Sequence, residues 1–135
     1  MRLLKPCDNK GVKIMGILDD IDSAAYDLER DRLGELTPVA RNFTIVRDTP
    51  ATNLNVISAY RVFSYETCVA HVSKTFKGEL LILVKRDAFK HSTTTSRHVR
   101  QFLSALVGRI DWDSLYKACK AENAPHLINV SQFTD

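Results

Sequence analysis

The chain has 135 residues and a mass of 15.3 kDa, enough for one domain that buries roughly two-thirds of its unfolded surface. Hydrophobic residues make up 44% and charged residues 26%, which excludes wholesale disorder, collagen-like repeats and a disulfide-built mini-protein. The net charge of +3 is unevenly spread: residues 15–40 carry −5 and residues 41–110 carry +7. An acidic opening segment therefore precedes a basic middle. Either the two attract each other or solvate the surface, or the basic middle meets a polyanion.

Residues 1–14 are read as a flexible tail or as translated leader. The run Lys10-Gly11-Val12-Lys13-Ile14-Met15 back-translates to a purine-rich ribosome-binding sequence ahead of Met15. On that reading the natural protein starts at Met15 in a bacterial or phage genome, and residues 15–135 form a single α+β domain. Ile17, Leu18, Ile21, Ala24, Ala25 and Leu28 recur at helical steps and predict an amphipathic helix over 16–33, stopped by Gly34. Asp19, Asp20 and Asp22 lie near its start, where the helix dipole favours anions. Thr37-Pro38 then reads as irregular chain. Four β-rich stretches follow at 43–46, 54–63, 67–73 and 80–84, joined by short connections. Residues 80–84, the most apolar run, are expected to be the central strand.

Ser92-Thr93-Thr94-Thr95 precedes a second helix with the stripe Val99, Phe102, Leu103 and Leu106, closed by Gly108. Asp111 or Asp113 caps a third helix, where Trp112, Leu115, Tyr116 and Cys119 share a face. Pro125 ends it, and 127–130 reads as an edge strand. The expected fold is α+β: a small antiparallel sheet of three to five strands, with an N-terminal amphipathic helix and one or two C-terminal helices. Cys7, Cys68 and Cys119 are odd in number and widely spaced, which fits neither a disulfide framework nor a zinc knuckle. With no secretory signal, a reducing cytoplasm is expected.

The densest polar cluster spans residues 85–100. Lys85, Arg86, Lys90, Arg97 and Arg100 supply charge, and Ser92, Thr93, Thr94 and Thr95 supply hydroxyls beside a helix start. Free N–H groups in a first helical turn bind phosphate or carboxylate well. The plainer reading is that Ser92 or Thr93 caps the helix. Phe76, Phe89 and Tyr65 are candidates to stack bases, or core residues. His91 and His98 are seven apart, which is not a metal-helix spacing, and no metal or cofactor is expected.

Three segments carry a resemblance: Ser64-Tyr65-Glu66-Thr67-Cys68-Val69-Ala70, Gly78-Glu79-Leu80-Leu81-Ile82, and Ser92-Thr93-Thr94-Thr95-Ser96-Arg97-His98. They are similar to an uncharacterised domain family of phage and plasmid proteins, over about residues 62–103. That family has an aromatic just before the motif serine; this chain has His91 there and Phe89 two residues earlier. The resemblance implies an origin more than an activity. If the motif is one structural unit, the Tyr65–Thr67 turn packs beside residues 92–98, with Tyr65, Thr67 and His98 as structural members. The leading expectation is a non-enzymatic phage-type protein that engages a host or defence protein in the host cytoplasm. The alternative is a nucleic-acid-binding module that uses residues 85–100 on DNA or RNA. The third, weaker, is a small nuclease.

Overall fold

The computed structural model describes residues 17–49 and 55–134; the leader reading of residues 1–14 lies outside them. Strand patterning sets the architecture. In β3 (Val56–Ser64) the residues Ser58, Tyr60, Val62 and Ser64 are buried and the alternate ones are not, the signature of a sheet with one covered face. β2 (Phe43–Asp48), β4 (Thr67–Thr75) and β5 (Leu80–Lys85) bury Phe43, Ile45, Val72, Ile82 and Val84 on that same face.

The sheet has six strands, in the order β1-β2-β3-β4-β5-β6, with every neighbouring pair antiparallel. This corrects the expectation of three to five strands. The unexpected member is β1 (Leu36–Ala40), which contains Pro38. A proline lacks a ladder donor and is tolerated on an edge strand. β1 is that edge, with an irregularity between Pro38 and Ala40. The other edge is β6 (Leu127–Asn129). A second correction concerns residues 80–84: the centre falls between β3 and β4, and β5 lies next to β6. Its apolar run is covered on one side only, since Ile82 and Val84 are buried while Leu81 is 40% exposed.

Three α-helices complete the described residues. α1 (Ile17–Glu29) ends earlier than Gly34, because Asp31 turns the chain with φ of 59°. α2 (Thr93–Val107) starts at Ser92, whose side chain accepts the Thr95 N–H, and closes at Gly108. α3 (Trp112–Lys120) is capped by Asp111, and a 3-10 turn (Val130–Phe133) follows β6. α1 and α2 pack together over the sheet, and Ile21, Leu28, Phe43, Tyr60, Phe102 and Leu103 belong to one core. Full burial of such side chains contributes roughly 1.5–3 kcal/mol each. α2 and α3 are both inserted between β5 and β6. No helix among the described residues is long and apolar enough to cross a membrane.

The α1–β1 link is fixed by a polar cluster. Arg47 reaches the Asp31 carboxylate at 3.1 Å, and the Tyr60 hydroxyl donates to the other Asp31 oxygen. Burial first, and then the Asp31 carboxylate, push the Tyr60 phenol up to about 12.

Candidate functional site

The basic segment begins with two turns. The Ala88 N–H donates to Lys85 O and the Lys90 N–H to Asp87 O, both at 2.9 Å, and Ala88 is fully buried as their anchor. The Arg86 backbone N–H donates to His126 O at 3.0 Å, and its guanidinium to Ala124 O at 2.9 Å. This fastens the loop to the α3–β6 connection. Ser96 then donates to Phe89 O at 3.2 Å and ties the loop to α2.

Helical spacing divides α2 into an inner and an outer face. Thr95, His98, Val99, Phe102 and Leu103 are buried. Thr93, Arg97 and Arg100 are exposed, and so is Lys90 just before the helix. Two adjoining depressions lie along this outer side. One, of about 390 Å³, is lined by Thr93, Arg97, Arg100, Gln101 and Trp112. The other, of about 270 Å³, is lined by Arg86, Phe89, Lys90, Tyr116 and Lys120, with Cys119 also in its wall. Ser96 and Arg100 line both, so the two form one groove between α2 and α3.

Aromatic rings stiffen the groove. Phe89 and Tyr116 meet edge to face with centroids 4.9 Å apart, and Phe89 meets Trp112 the same way at 6.4 Å. The Arg100 guanidinium lies 5.3 Å from the Trp112 ring centroid, a cation–π placement. Burial raises the Tyr116 phenol, against the nearby Arg100 charge. Burial also pushes the Cys119 thiol up, against Lys90 and Arg86. Arg86, Lys90, Arg97, Arg100 and Lys120 make no ion pair with a carboxylate among the described residues. None of the five pairs with a carboxylate of the acidic segment among the described residues. Its Asp31 pairs with Arg47, and its Asp22 accepts from Gln101.

The other expected residues have different places. Lys85 alternates with Val84 in β5 and falls on the sheet face away from the helices, where its charge helps to lower the His71 pKa after burial. Ser92 is the helix cap, Thr94 is exposed outside the groove, and Thr95 is 2% exposed. Tyr65 stands in the β3–β4 turn with φ of 57°, and Phe76 in the β4–β5 turn. Phe89 alone of the three proposed stacking rings lines the groove.

The motif segments do meet, through Ser64 rather than Tyr65 or Thr67. Ser64 Oγ lies 3.0 Å from Thr95 Oγ1 and 3.4 Å from His98 Nδ1. Ser92 Oγ donates to Thr95 Oγ1 at 3.1 Å. Thr95 Oγ1 and Ser64 Oγ share the next hydrogen bond of this chain, and Ser64 Oγ and His98 Nδ1 the last. Burial first, and then the Arg97 charge, lower the His98 pKa, which favours the neutral ring. Phe43 covers the ring edge to face at 5.3 Å. Burial at 3% exposure keeps His98 from any ligand in solvent. The groove residues that the sequence reading missed are Trp112, Tyr116 and Lys120. Their signal is the i, i+4, i+8 spacing on α3, which reads equally as core.

No group of three or more metal-ligating side chains gathers among the described residues. The chain belongs to a family of unknown function, DUF8033, whose model matches residues 32–114. The match runs from the turn before β1 into α3, so it includes Ser64, Thr95, His98 and Arg100 but not Tyr116 or Lys120. Comparisons with curated proteins and with solved structures found no match.

Proposed function

We propose that this chain is a binding module whose α2–α3 groove holds a nucleic acid. The observation that carries the reading is the convergence on one groove of Phe89, Trp112 and Tyr116 with five cations that make no ion pair with a carboxylate among the described residues. Cations that track phosphates, beside rings that accept bases, are the two parts a nucleic-acid site needs. A small nuclease gains no support from His98, which is sealed in the core. The phage or plasmid origin rests on the motif resemblance. The host-cell cytoplasm is supported by two unpaired thiols, Cys68 and Cys119, among the described residues.

The test is fluorescence anisotropy with labelled DNA and RNA across a salt series. Affinity falls steeply with salt, and charge reversal at Arg97 and Arg100 flattens the slope by about one unit per lost phosphate contact. A wild-type protein with no measurable affinity for either polymer at low salt ends the reading.

A second reading is a protein partner. It is favoured by the sheet face away from the helices, where Ile57 and Leu81 are 41% and 40% exposed. Capture from host lysate before and after nuclease treatment separates the two: a complex that survives nuclease supports the protein partner.

A further inference from the structure

The groove has neighbours that restrict the form of its ligand. α2 does not stand clear of the surface. A valley of about 370 Å³ between α1 and α2, lined by Asp22, Tyr26, Glu29 and Gln101, runs along its other flank. A helix reads duplex DNA by entering the major groove, which is about 12 Å wide and admits little beyond the helix itself. α2 is flanked by α1 and α3 and lacks that freedom.

Charge draws the same boundary. Gln101 lines both this valley and the depression of about 390 Å³, so carboxylates begin one side chain beyond the cations. Asp22 and Glu29 are exposed there. A duplex laid along the groove would set its second row of phosphates against these acids. A single strand stays on the α3 side. On that side the cavity of about 270 Å³ has Phe89 and Tyr116 in its wall, and Lys90 and Lys120 are exposed beside it. Unpaired bases stack on aromatic rings while the backbone follows the cations.

Resting on the nucleic-acid reading of this groove, we propose that the bound strand is single, with one unpaired base in the Phe89–Tyr116 cavity and its flanking phosphates on Lys90 and Arg100. The chain carries its own reporter. Trp112 is the single tryptophan of the sequence, and it lines the adjoining half of the groove.

The experiment titrates the full chain at low salt with oligothymidylate, oligouridylate, a DNA duplex of equal length and inorganic polyphosphate. Binding is read by anisotropy, or by competition for the unlabelled polyphosphate, and Trp112 fluorescence is read in parallel. The single strands are expected to bind at least tenfold more tightly than the duplex and to quench Trp112, while polyphosphate binds without quenching. Tyr116→Leu is expected to weaken single-strand binding roughly tenfold and to leave polyphosphate binding unchanged. Should Tyr116→Leu fail to fold, the wild-type ranking and the quenching decide alone. A duplex that binds as tightly as the single strands, or a folded Tyr116→Leu chain with unchanged single-strand affinity, overturns the single-strand proposal and leaves the nucleic-acid reading standing. Failure of all four ligands to bind overturns both.

Discussion

Two polar clusters share one turn of α2 and have opposite fates. Facing inward, Thr95 and His98 are joined to Ser64 and Ser92 in a hydrogen-bonded chain. Facing outward, Arg97 and Arg100 have no carboxylate partner among the described residues and line a groove. Both clusters come from one dense polar stretch of sequence, and only their partners tell them apart. A polar group whose bonds are already made inside the protein has little left for a ligand. One whose charge is unmatched retains its full capacity.

The largest expected effect comes from breaking the inner cluster. His98→Ala removes the ring that packs on Phe43 and takes one hydrogen-bond partner from Ser64. Cavity and lost hydrogen bond together are expected to cost about 2–4 kcal/mol, measured by urea unfolding. Nucleic-acid affinity of the folded fraction is expected to be unchanged. A loss of affinity in that folded fraction would erase the distinction between the two faces.

Next in size is Tyr60→Phe, which tests another internally satisfied cluster. It deletes the hydroxyl bond to Asp31 while Arg47 keeps the carboxylate, at a cost of about 1–2 kcal/mol near neutral pH. The Tyr60 phenol is raised from 10.0 to about 12, so the folded state holds its proton longer than the unfolded chain. Its contribution is full below about pH 10 and is lost as pH rises through about 12. Unfolding of the Phe variant is expected to lack that alkaline component.

A smaller effect comes from acid. The His98 pKa is lowered by burial and then by Arg97, so the unfolded chain binds the proton more readily. Stability is then full above about pH 6.5 and falls as pH drops below it. His71, also lowered chiefly by burial, contributes with the same sign. Urea midpoints at about pH 7.5 and about pH 5 check this, and His98→Gln is expected to flatten the difference. The smallest effect on stability belongs to the outer face. Reversing Arg97 is expected to change unfolding by less than about 0.5 kcal/mol, and reversing Arg100, which lies over the Trp112 ring, by about 0.5–1 kcal/mol, even as the salt slope of binding flattens.

Period-2 alternation made the strands from β2 to β5 legible, and the three- and four-residue stripes placed all three helices. β1 was hidden by Pro38, whose edge position is a property of the whole sheet. The end of α1 was hidden because Asp31, rather than a glycine, takes the left-handed turn, held there by Arg47 and Tyr60. The centrality given to residues 80–84 read a hydrophobic run as two-sided burial, although half of it faces away from the helices. Sequence adjacency groups Lys85 with the other cations, and β5 alternation separates it from them. Arg97 and Arg100 could be placed from their spacing alone. Trp112, Tyr116 and Lys120 could not, since their role depends on where α3 settles beside α2.

The insertion of α2 and α3 between β5 and β6 has a consequence for how the chain assembles. The pairings from β1 to β5 each join strands that are neighbours along the chain and only a few residues apart, and close at little entropic cost. The β5–β6 pairing, Val84 against Ile128, must first close residues 86–126 into a loop. The meander is therefore the early-forming part, and the last strand docks onto it late. Arg86 holds the α3–β6 connection through Ala124 and His126, so the groove takes its final shape only at that closing event. In native-state hydrogen exchange, β3 and β4 amides should be the slowest, and those of α3 and β6 should open first as one unit.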